Sequence, residues 1–447
     1  MSFKSPSRVV AAPLLLCMMC LLVLAGCGSG NSASTTSTGP VNNTAQVMAS
    51  SGPNGLAGGL VNGIFITLTV CRHGTTTCMP IDNVLVDTGS VGLRIVPSAL
   101  GSVSLSQILV GNNALLECVQ YGDTSYSWGP LQLGDVQIAG ERASNIPIQL
   151  LGATSAPVPS NCLQTPVNPS LPNGGNEDTV ATLGANGILG IAGFTTDCGS
   201  SCNTVSFTSG YPYYTCPGGT CGAVPVPTGE QSTNVVAAFS SADINGFMIT
   251  FPSVAATGAT TLTGTINFGI GTQTDNALSN VTVFAMDPCL DFPTITFNGI
   301  SYTDTNCNGT GTGLGGFLDS GSNAFYVSDA TTLAPLGISD CPSTSNGSGF
   351  YCVTGVGTAT LSNIGLAGFG GVGSGTTSLN IMDATKLFTS NNAVFNDLGS
   401  DSVVGGSPST DFFDFGSPFF FGRTVYVGIA GVAAVNGLSV PNGFVAF

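Results

Sequence analysis

Two short loops that each carry an aspartate are the parts of this sequence best suited to chemistry. Asp87-Thr88-Gly89-Ser90 interrupts an apolar run within residues 84–98, and Asp319-Ser320-Gly321-Ser322 interrupts another within residues 315–327. In each, a strand-like stretch runs into the carboxylate and small turn-forming residues follow it. Because the loop occurs twice, about half the chain apart, the sequence predicts two related halves that contribute one carboxylate each to a shared site.

Two adjacent aspartates could catalyse hydrolysis by water. One carboxylate would remove a proton from the water, and the other, protonated, would deliver a proton to a carbonyl oxygen. Two carboxyls held so close cannot both ionise readily, so they share one proton and titrate as a pair. Asp87 and Asp319 are therefore the candidate catalytic residues. The simpler interpretation of either loop is a turn whose carboxylate only satisfies backbone N–H groups.

The segments that follow the first loop resemble those of the pepsin-like aspartic peptidases. In that family the first acid loop is followed by a strand that ends in Val-Pro-Ser, and this chain has Val96-Pro97-Ser98. A hairpin flap then opens with Tyr-Gly, and this chain has Tyr121-Gly122. The resemblance identifies Tyr121 and Gly122 as the flap residues that would cover a bound substrate.

The resemblance extends to the end of each half. In the family, each lobe closes with an apolar pair and a glycine that pass behind the acid loop. Residues 187–193, GILGIAG, are similar to the first of these segments, and residues 414–431 are similar to the second. The spacing between the loop aspartate and the closing glycine is 103 residues in the first half and 97 in the second. The two halves are therefore similar in length between these points.

The resemblance implies a mostly β, bilobal pepsin-like fold, with two pseudo-symmetric β-barrel-like lobes and a cleft between them. The first lobe would span residues 59–276, including a Cys-rich insertion, and the second would span residues 277–447. The implied activity is that of an aspartic endopeptidase that cuts extended peptides and needs no cofactor. The implied supporting groups are the Gly89 and Gly321 N–H groups and the Ser90 and Ser322 hydroxyls at the carboxylates, with Thr88 and Ser320 bridging the loops.

Three departures from the family pattern leave a second interpretation open. Ser320 stands where threonine is commoner, Arg94 where an aromatic residue is frequent, and Ser417-Pro418 where an aspartate usually follows the glycine. The chain could therefore be a catalytically inactive pepsin-like lipoprotein that acts as a binding or surface module. A Gly-x-Ser-x-Gly motif is absent and the chain has one histidine, which disfavours serine or cysteine hydrolase chemistry.

Composition narrows the set of partners. The chain has 447 residues, of which 43% are hydrophobic and 7% charged, with a formal net charge of −16. Only seven residues are lysine or arginine, so nucleic-acid binding is improbable. The hydrophobic content is ample for real cores. We expect a monomer that takes a peptide or protein as its substrate.

The first 27 residues have the features of a bacterial lipoprotein signal. A basic start at Lys4 and Arg8 precedes an apolar stretch, and Leu24-Ala25-Gly26-Cys27 resembles the lipoprotein cleavage box. Removal of residues 1–26 and lipidation of Cys27 would anchor the protein outside the cytoplasm, and the absence of an aspartate after Cys27 favours the outer membrane over the inner. An ordinary secretory signal is the alternative. Residues 27–58 are rich in Ser, Thr, Gly and Asn, which predicts a flexible tether.

Twelve cysteines remain after Cys27, an even number that predicts disulfides formed in an oxidising compartment. Proximity predicts the pairs Cys71–Cys78, Cys289–Cys307 and Cys341–Cys352, and leaves the pairing within residues 198–221 open. Zinc is disfavoured because the Cys-rich cluster contains no histidine.

One further segment imitates a metal site. Residues 304–309, Asp-x-Asn-x-Asn-Gly, begin like a calcium loop. Gly315 occupies the twelfth position, where such a loop needs a bidentate glutamate. The segment is therefore interpreted as a hairpin turn, and no metal is expected.

Overall fold

The structure, a computed structural model, is built almost entirely of strands. It describes residues 42–56, 59–123, 125–163, 175–204, 212–305, 307, 315–355, 357–401 and 413–447. Three α-helices in these ranges have four residues each: α1 (Val180–Leu183), α2 (Ala330–Leu333) and α3 (Ala384–Leu387). No helix in the described part of the chain combines the length and the apolar character needed to cross a membrane.

The strands up to residue 268 are β1 (Thr44–Ser50), β2 (Gly63–Arg72), β3 (Cys78–Asp87), β4 (Val91–Ile95), β5 (Ser106–Gln107), β6 (Leu109–Val110), β7 (Asn113–Ala114), β8 (Leu116–Gln120), β9 (Tyr126–Ile138), β10 (Glu141–Leu150), β11 (Gly187–Ile191), β12 (Tyr213–Thr215), β13 (Gly222–Ala223), β14 (Gly246–Thr250) and β15 (Leu262–Phe268). The later strands are β16 (Val283–Ala285), β17 (Thr294–Phe297), β18 (Ile300–Thr303), β19 (Gly316–Asp319), β20 (Phe325–Val327), β21 (Ile338–Asp340), β22 (Tyr351–Val353), β23 (Thr358–Ala367), β24 (Ser374–Met382), β25 (Gly399–Ser400), β26 (Phe413–Gly416), β27 (Thr424–Gly428) and β28 (Phe444–Ala446).

One large sheet joins the two halves of the chain. Its order is β13-β12-β8-β9-β10-β4-β11-β3-β2-β1-β15-β14-β27-β28-β16, with β5 added at β9. The second half adds a sheet β19-β26-β20-β25 and a sheet β18-β17-β23-β24. Strands β14 and β15 therefore link the first half to the C-terminal strands β27 and β28, as in a bilobal pepsin-like fold.

Each half contains the same three-strand arrangement around its acid loop. In the first half, β11 lies between β3 and β4, parallel to β3 and antiparallel to β4, and Gly190 is opposite Asp87. In the second half, β26 lies between β19 and β20, parallel to β19 and antiparallel to β20, and Gly416 is opposite Asp319. This repeat is the pseudo-symmetry predicted from the duplicated loop. The resulting fold is mostly β and bilobal, as expected from the sequence.

Apolar residues on both faces of these strands form the core beneath the loops. Val86, Leu93 and Leu189 from the first arrangement are almost completely buried, and so are Phe413 and Phe415 from the second. Apolar runs with few charges suit strands covered on both faces. The acid loops are thus attached to buried, closely packed strands rather than to a mobile surface segment.

The N-terminal strand corrects the predicted extent of the tether. Composition predicts a flexible segment over residues 27–58, yet β1 occupies Thr44–Ser50 within it and pairs with both β2 and β15. Val47 and Ala49 are fully buried, and their contribution to the core explains why this stretch is a strand. The rest of the predicted tether up to residue 41, together with the signal segment, lies outside the described residues.

Six disulfides connect the twelve cysteines. The three predicted pairs Cys71–Cys78, Cys289–Cys307 and Cys341–Cys352 are confirmed. Within the segment whose pairing the sequence left open, each cysteine bonds its neighbour, as Cys198–Cys202 and Cys216–Cys221. The sixth disulfide, Cys118–Cys162, closes the longest loop, with a sequence separation of 44 residues, and fastens β8 to the chain after β10.

Candidate active site

The first acid loop holds its carboxylate with hydrogen bonds from the loop itself. Asp87 is the last residue of β3 and is 7% exposed. The Gly89 N–H donates to Oδ1 of Asp87 at 2.8 Å, and the Ser90 hydroxyl donates to Oδ2. Both carboxylate oxygens therefore have a fixed donor, and the carboxylate cannot rotate without breaking a bond.

The second acid loop repeats this geometry. Asp319 is the last residue of β19. The Gly321 N–H donates to Oδ1 of Asp319 at 2.8 Å, and the Ser322 hydroxyl donates to Oδ2 at 3.0 Å. The two carboxylates are thus held by equivalent groups at equivalent positions, which follows from the repeated strand arrangement.

Beneath the carboxylates, the two loops are joined by four hydrogen bonds, all made by Thr88 and Ser320, the second residue of each loop. The Thr88 hydroxyl donates to the Leu318 carbonyl at 3.0 Å and accepts from the Ser320 N–H at 2.9 Å. The Ser320 hydroxyl donates to the Val86 carbonyl at 2.7 Å and accepts from the Thr88 N–H at 3.1 Å. Each hydroxyl both donates and accepts across the interface between the halves, so the loops are fixed relative to each other.

The glycines of the loops let the two carboxyls approach. A Cβ on Gly89 would lie 2.6 Å from Oδ2 of Asp319, and one on Gly321 would lie 2.7 Å from Oδ1 of Asp87. Carbon atoms do not approach oxygen so closely without a bond, so a side chain at either position would push the opposite carboxyl away. The sequence pattern Asp-x-Gly is therefore a packing requirement of the pair.

The pair behaves as a proton-sharing site. Burial, the nearby charge of Asp87 and the hydrogen bond between the two carboxyls together raise the pKa of Asp319 to about 8. A buried carboxyl beside another carboxylate keeps its proton because two negative charges at contact distance are costly in a poorly solvated site. At neutral pH, one proton therefore remains between Asp87 and Asp319.

A third carboxyl lies behind Asp319. Asp414 is 2% exposed on β26, two residues before Gly416, and it hydrogen-bonds to Ser322, which itself donates to Asp319. Burial, followed by the charge of Asp319, raises the pKa of Asp414 well above its usual range. The corresponding residue of the first half is Ile188, so comparison of the two closing segments is the sequence signal that could have revealed this acid.

The predicted flap is a hairpin formed by β8 and β9. Tyr121 follows β8, is half-buried, and its hydroxyl lies 2.7 Å from Oγ of Ser127. Its backbone N–H donates to the Ser125 carbonyl at 2.9 Å, which closes the turn. Tyr121 is close enough to Asp87 for that carboxylate to influence its ionisation, although burial is the largest cause of the rise in the Tyr121 pKa to about 12. Gly122 lies at the exposed tip of the hairpin.

A buried group of charges lies beneath the flap, and the sequence indicated only one of its members. Arg94, on β4, is 1% exposed, donates to the Val91 carbonyl at 2.9 Å and lies 3.9 Å from Oε1 of Glu117, which is fully buried on β8. Nearby, Asp197 accepts from the Tyr213 hydroxyl at 2.6 Å. Burial and then the charge of Glu117 raise the pKa of Asp197 well above its usual range. These groups come from distant segments, and no local pattern links them.

Comparisons with known proteins give the chain a family. A family model described as "Protein of unknown function (DUF3443)" matches residues 39–447. No curated protein matches the chain in sequence. Among solved structures, the chain is similar to one titled "Crystal structure of aspartic proteinase from Irpex lacteus", with 14% identity, a TM-score of 0.46, and coverage of 90% of this chain and 96% of that chain. This similarity is weak, so the fold assignment depends on the strand arrangement described above.

The bridge between the acid loops can be tested through stability. Thr88→Val keeps the shape of the side chain but removes the hydroxyl that pairs with the Leu318 carbonyl and the Ser320 N–H. Because two buried backbone groups lose their partner, we expect the free energy of unfolding to fall by about 2–4 kcal/mol, measured by urea denaturation. The matched control is Thr358→Val on an exposed position of β23, which should change the free energy by less than about 0.5 kcal/mol. Equal effects of the two substitutions would contradict a bridging role.

The shared proton gives the stability a specific pH dependence. The folded pKa of Asp319 is raised from 3.8 to about 8, so the folded state holds a proton that the unfolded state releases. This contribution to stability is complete below the unfolded pKa and is lost as the pH rises through that interval. Asp319→Asn places an uncharged amide at this position. The melting temperature of the variant should therefore rise relative to that of the wild type as the pH increases from about 4 to about 8. A difference that is constant with pH would exclude the shared proton.

Proposed function

This chain belongs to the family described as protein of unknown function DUF3443, and we propose that it is an aspartic endopeptidase that hydrolyses peptide bonds with a water activated between Asp87 and Asp319. The observation that carries the proposal is the pair of acid loops joined through Thr88 and Ser320. A carboxyl pair of this kind, with one shared proton, is suited to general acid–base catalysis.

The raised pKa of Asp319 supports the following division of roles within the pair. Asp319 keeps the proton at neutral pH, so Asp87 is the carboxylate that removes a proton from water. The water oxygen then attacks the peptide carbonyl carbon while Asp319 gives its proton to the carbonyl oxygen. When the tetrahedral intermediate collapses, the C–N bond breaks and the proton held by Asp87 passes to the leaving amine. The two products are a carboxyl and an amino terminus, and the pair recovers its single proton.

The supporting groups act by holding this geometry. The Gly89 and Gly321 N–H groups and the Ser90 and Ser322 hydroxyls fix the planes of the carboxylates. Catalytic groups fixed before the substrate arrives lose no entropy at the moment of reaction. Tyr121 and the tip of its hairpin would fold over an extended peptide and exclude bulk water from the pair. Apolar side chains beside the scissile bond are the preferred substrate feature by resemblance to the pepsin-like family.

The proposed location is outside the cytoplasm, with a lipid anchor at Cys27. The Leu24-Ala25-Gly26-Cys27 box and the six disulfides support this location, because disulfides persist in oxidising compartments. The outer membrane is the proposed site of attachment, since the residue after Cys27 is Gly28 rather than an aspartate.

The peptidase proposal is tested by incubating the purified, oxidised protein with a mixed peptide library between about pH 3 and about pH 7, the range in which a proton-sharing pair works. Cleavage should be blocked by a transition-state inhibitor of aspartic peptidases. Asp87→Asn and Asp319→Asn should each lower the rate by at least about 10³-fold, whereas Asp340→Asn, at an exposed position of β21, should leave it unchanged. Absence of cleavage at every pH by folded wild-type protein would indicate the ligand-binding interpretation instead.

The anchor is tested by metabolic labelling with a radioactive fatty acid in a bacterial host. The wild-type protein should carry the label and fractionate with membranes. Cys27→Ser removes the thiol that would be lipidated, so the variant should be unlabelled, while Cys20→Ser within the signal segment should leave labelling intact. Equal labelling of Cys27→Ser and wild type would refute the anchor.

A further inference from the structure

An arginine lies buried on the strand that leaves the first acid loop. Arg94 belongs to β4 and is 1% exposed. Its guanidinium donates from Nη2 to the Val91 carbonyl at 2.9 Å and from Nη1 to the Gly92 carbonyl at 3.3 Å. Because Val91 and Gly92 directly follow Ser90, these bonds turn the charged head back towards the acid loop. The positive charge is therefore held at the start of β4, next to the loop that carries Asp87.

The partner of this charge belongs to the flap hairpin. Glu117 is fully buried on β8, the first strand of the hairpin, four residues before Tyr121. Its Oε1 atom lies 3.9 Å from Nη2 of Arg94. Both side chains of this pair are buried, whereas each of the other two ion pairs between described residues has one partner that is 43% or 48% exposed. The Arg94–Glu117 pair therefore links the flap to the acid loop away from solvent.

A glutamine provides a second link between the same segments. Gln149 is fully buried on β10 and lies opposite Arg94 in the parallel pairing of β10 with β4. Its Nε2 atom donates to the backbone carbonyl of Glu117 at 2.8 Å. The flap strand is therefore connected to β4 and β10 both through the side chain of Glu117 and through its backbone.

Stability alone gives no reason for this ion pair. Nε of Arg94 is buried and has no hydrogen-bond partner among the described residues. The nearby acid Asp197 accepts from the Tyr213 hydroxyl, and burial followed by the charge of Glu117 raises the pKa of Asp197 well above its usual range. The negative charge that faces Arg94 is therefore that of Glu117. Replacing a buried ion pair by apolar side chains of similar volume is often neutral or stabilising, because the cost of desolvating two charges offsets their attraction.

The flap tyrosine lies against the same region of the first half. Tyr121 packs on a cluster of buried apolar residues that includes Val96 and Ile188. Ile188 lies opposite Arg94 in the pairing of β11 with β4. Burial raises the pKa of Tyr121 to about 12, and the charge of Arg94 opposes this rise. The guanidinium is thus near both the acid loop and the flap tyrosine.

We propose that the Arg94–Glu117 pair positions the flap hairpin over the dyad. Opposite charges attract more strongly in a poorly solvated interior than in water, so this attraction opposes a displacement of β8 from β4 in addition to packing. Arg94 acts on the strand that follows the acid loop, and Glu117 acts on the strand that leads to Tyr121. In this role the two are positioning residues and not catalytic ones. The proposal rests on the proposed function for what the flap covers, but the position of the hairpin can be measured without any substrate.

The test replaces the pair by apolar side chains of similar volume, as Arg94→Met combined with Glu117→Leu. Each single substitution leaves one uncompensated buried charge and should lower the melting temperature, whereas the double variant should melt above both single variants. The double variant thus recovers stability without the positioning pair. In hydrogen exchange of the double variant, amides of β8 and of the turn at Tyr121 should exchange at least about tenfold faster than in the wild type, while those of β23 should not change.

Activity gives a second readout, which a purely stabilising pair would not affect. Where the wild type cleaves peptides, kcat/KM of the double variant should fall at least about tenfold, mainly through a higher KM, because a displaced flap holds the substrate less well. The double substitution removes one positive and one negative charge, so the net charge around Asp87 does not change. The matched control is Arg142→Met, which removes an arginine–carboxylate pair with Asp135 near the turn between β9 and β10. This control should leave both the exchange of the flap and kcat/KM unchanged.

Circular dichroism checks that each variant is folded, and Glu117→Gln, with the same expected exchange, carries the test if the double variant is not folded. The proposal is overturned if a folded variant shows wild-type exchange in the flap hairpin, or wild-type kcat/KM where peptides are cleaved. Equally faster exchange in β8 and β23 would also overturn it, because the pair would then only stabilise the fold. If the wild type cleaves no peptide, the peptidase proposal fails, and the exchange measurement alone decides whether the pair positions the hairpin.

Discussion

The hydrogen-bonded crossing of the two acid loops is the constraint on which the rest of the structure depends. Thr88 and Ser320 each donate to a carbonyl of the opposite half and accept an N–H from it. These bonds form only if the two loops lie side by side at the same level and run in opposite directions. The repeated three-strand arrangement, with β11 behind Asp87 and β26 behind Asp319, meets that condition. A carboxyl pair that shares a proton is the chemical result.

The halves are equivalent in backbone but not in the residues placed behind the loops. The residue seven positions after each aspartate is Arg94 in the first half and Tyr326 in the second. Arg94 pairs across the sheet with the apolar Ile188, whereas Tyr326 pairs with the acid Asp414. A buried cation therefore lies near one aspartate and a buried acid near the other. This asymmetry gives the two carboxyls different surroundings, which is the condition for one of them to act as acid and the other as base.

A second buried group of acids belongs to a loop that reaches the base of the dyad. The disulfide Cys289–Cys307 and the short hairpin β17–β18 hold Asp287 next to Asp304, and the adjoining Leu290 reaches the cavity beside Thr88. Few cations are present in the chain to balance buried acids, since lysine and arginine together number seven against 23 acidic residues. Buried carboxyls in such a chain therefore retain protons, as at the dyad and at Asp287 beside Asp304, where burial and the neighbouring acid raise the pKa.

The sequence by itself determined the duplicated acid loop and three of the six disulfides, because each follows from a local pattern: an apolar run into Asp-x-Gly, or cysteines close in the chain. The mostly β bilobal class followed from the resemblance of the loops and the segments after them to the pepsin-like family. It did not determine that Thr44–Ser50 is a strand, because the burial of Val47 and Ala49 against β2 and β15 is provided by distant residues. For the same reason, only the tertiary structure placed Asp414 behind Asp319, Glu117 beside Arg94, and Asp287 against Asp304. The neighbours of a carboxylate can be identified only in the folded chain, because the charges and the solvent around it depend on segments that are far apart in sequence.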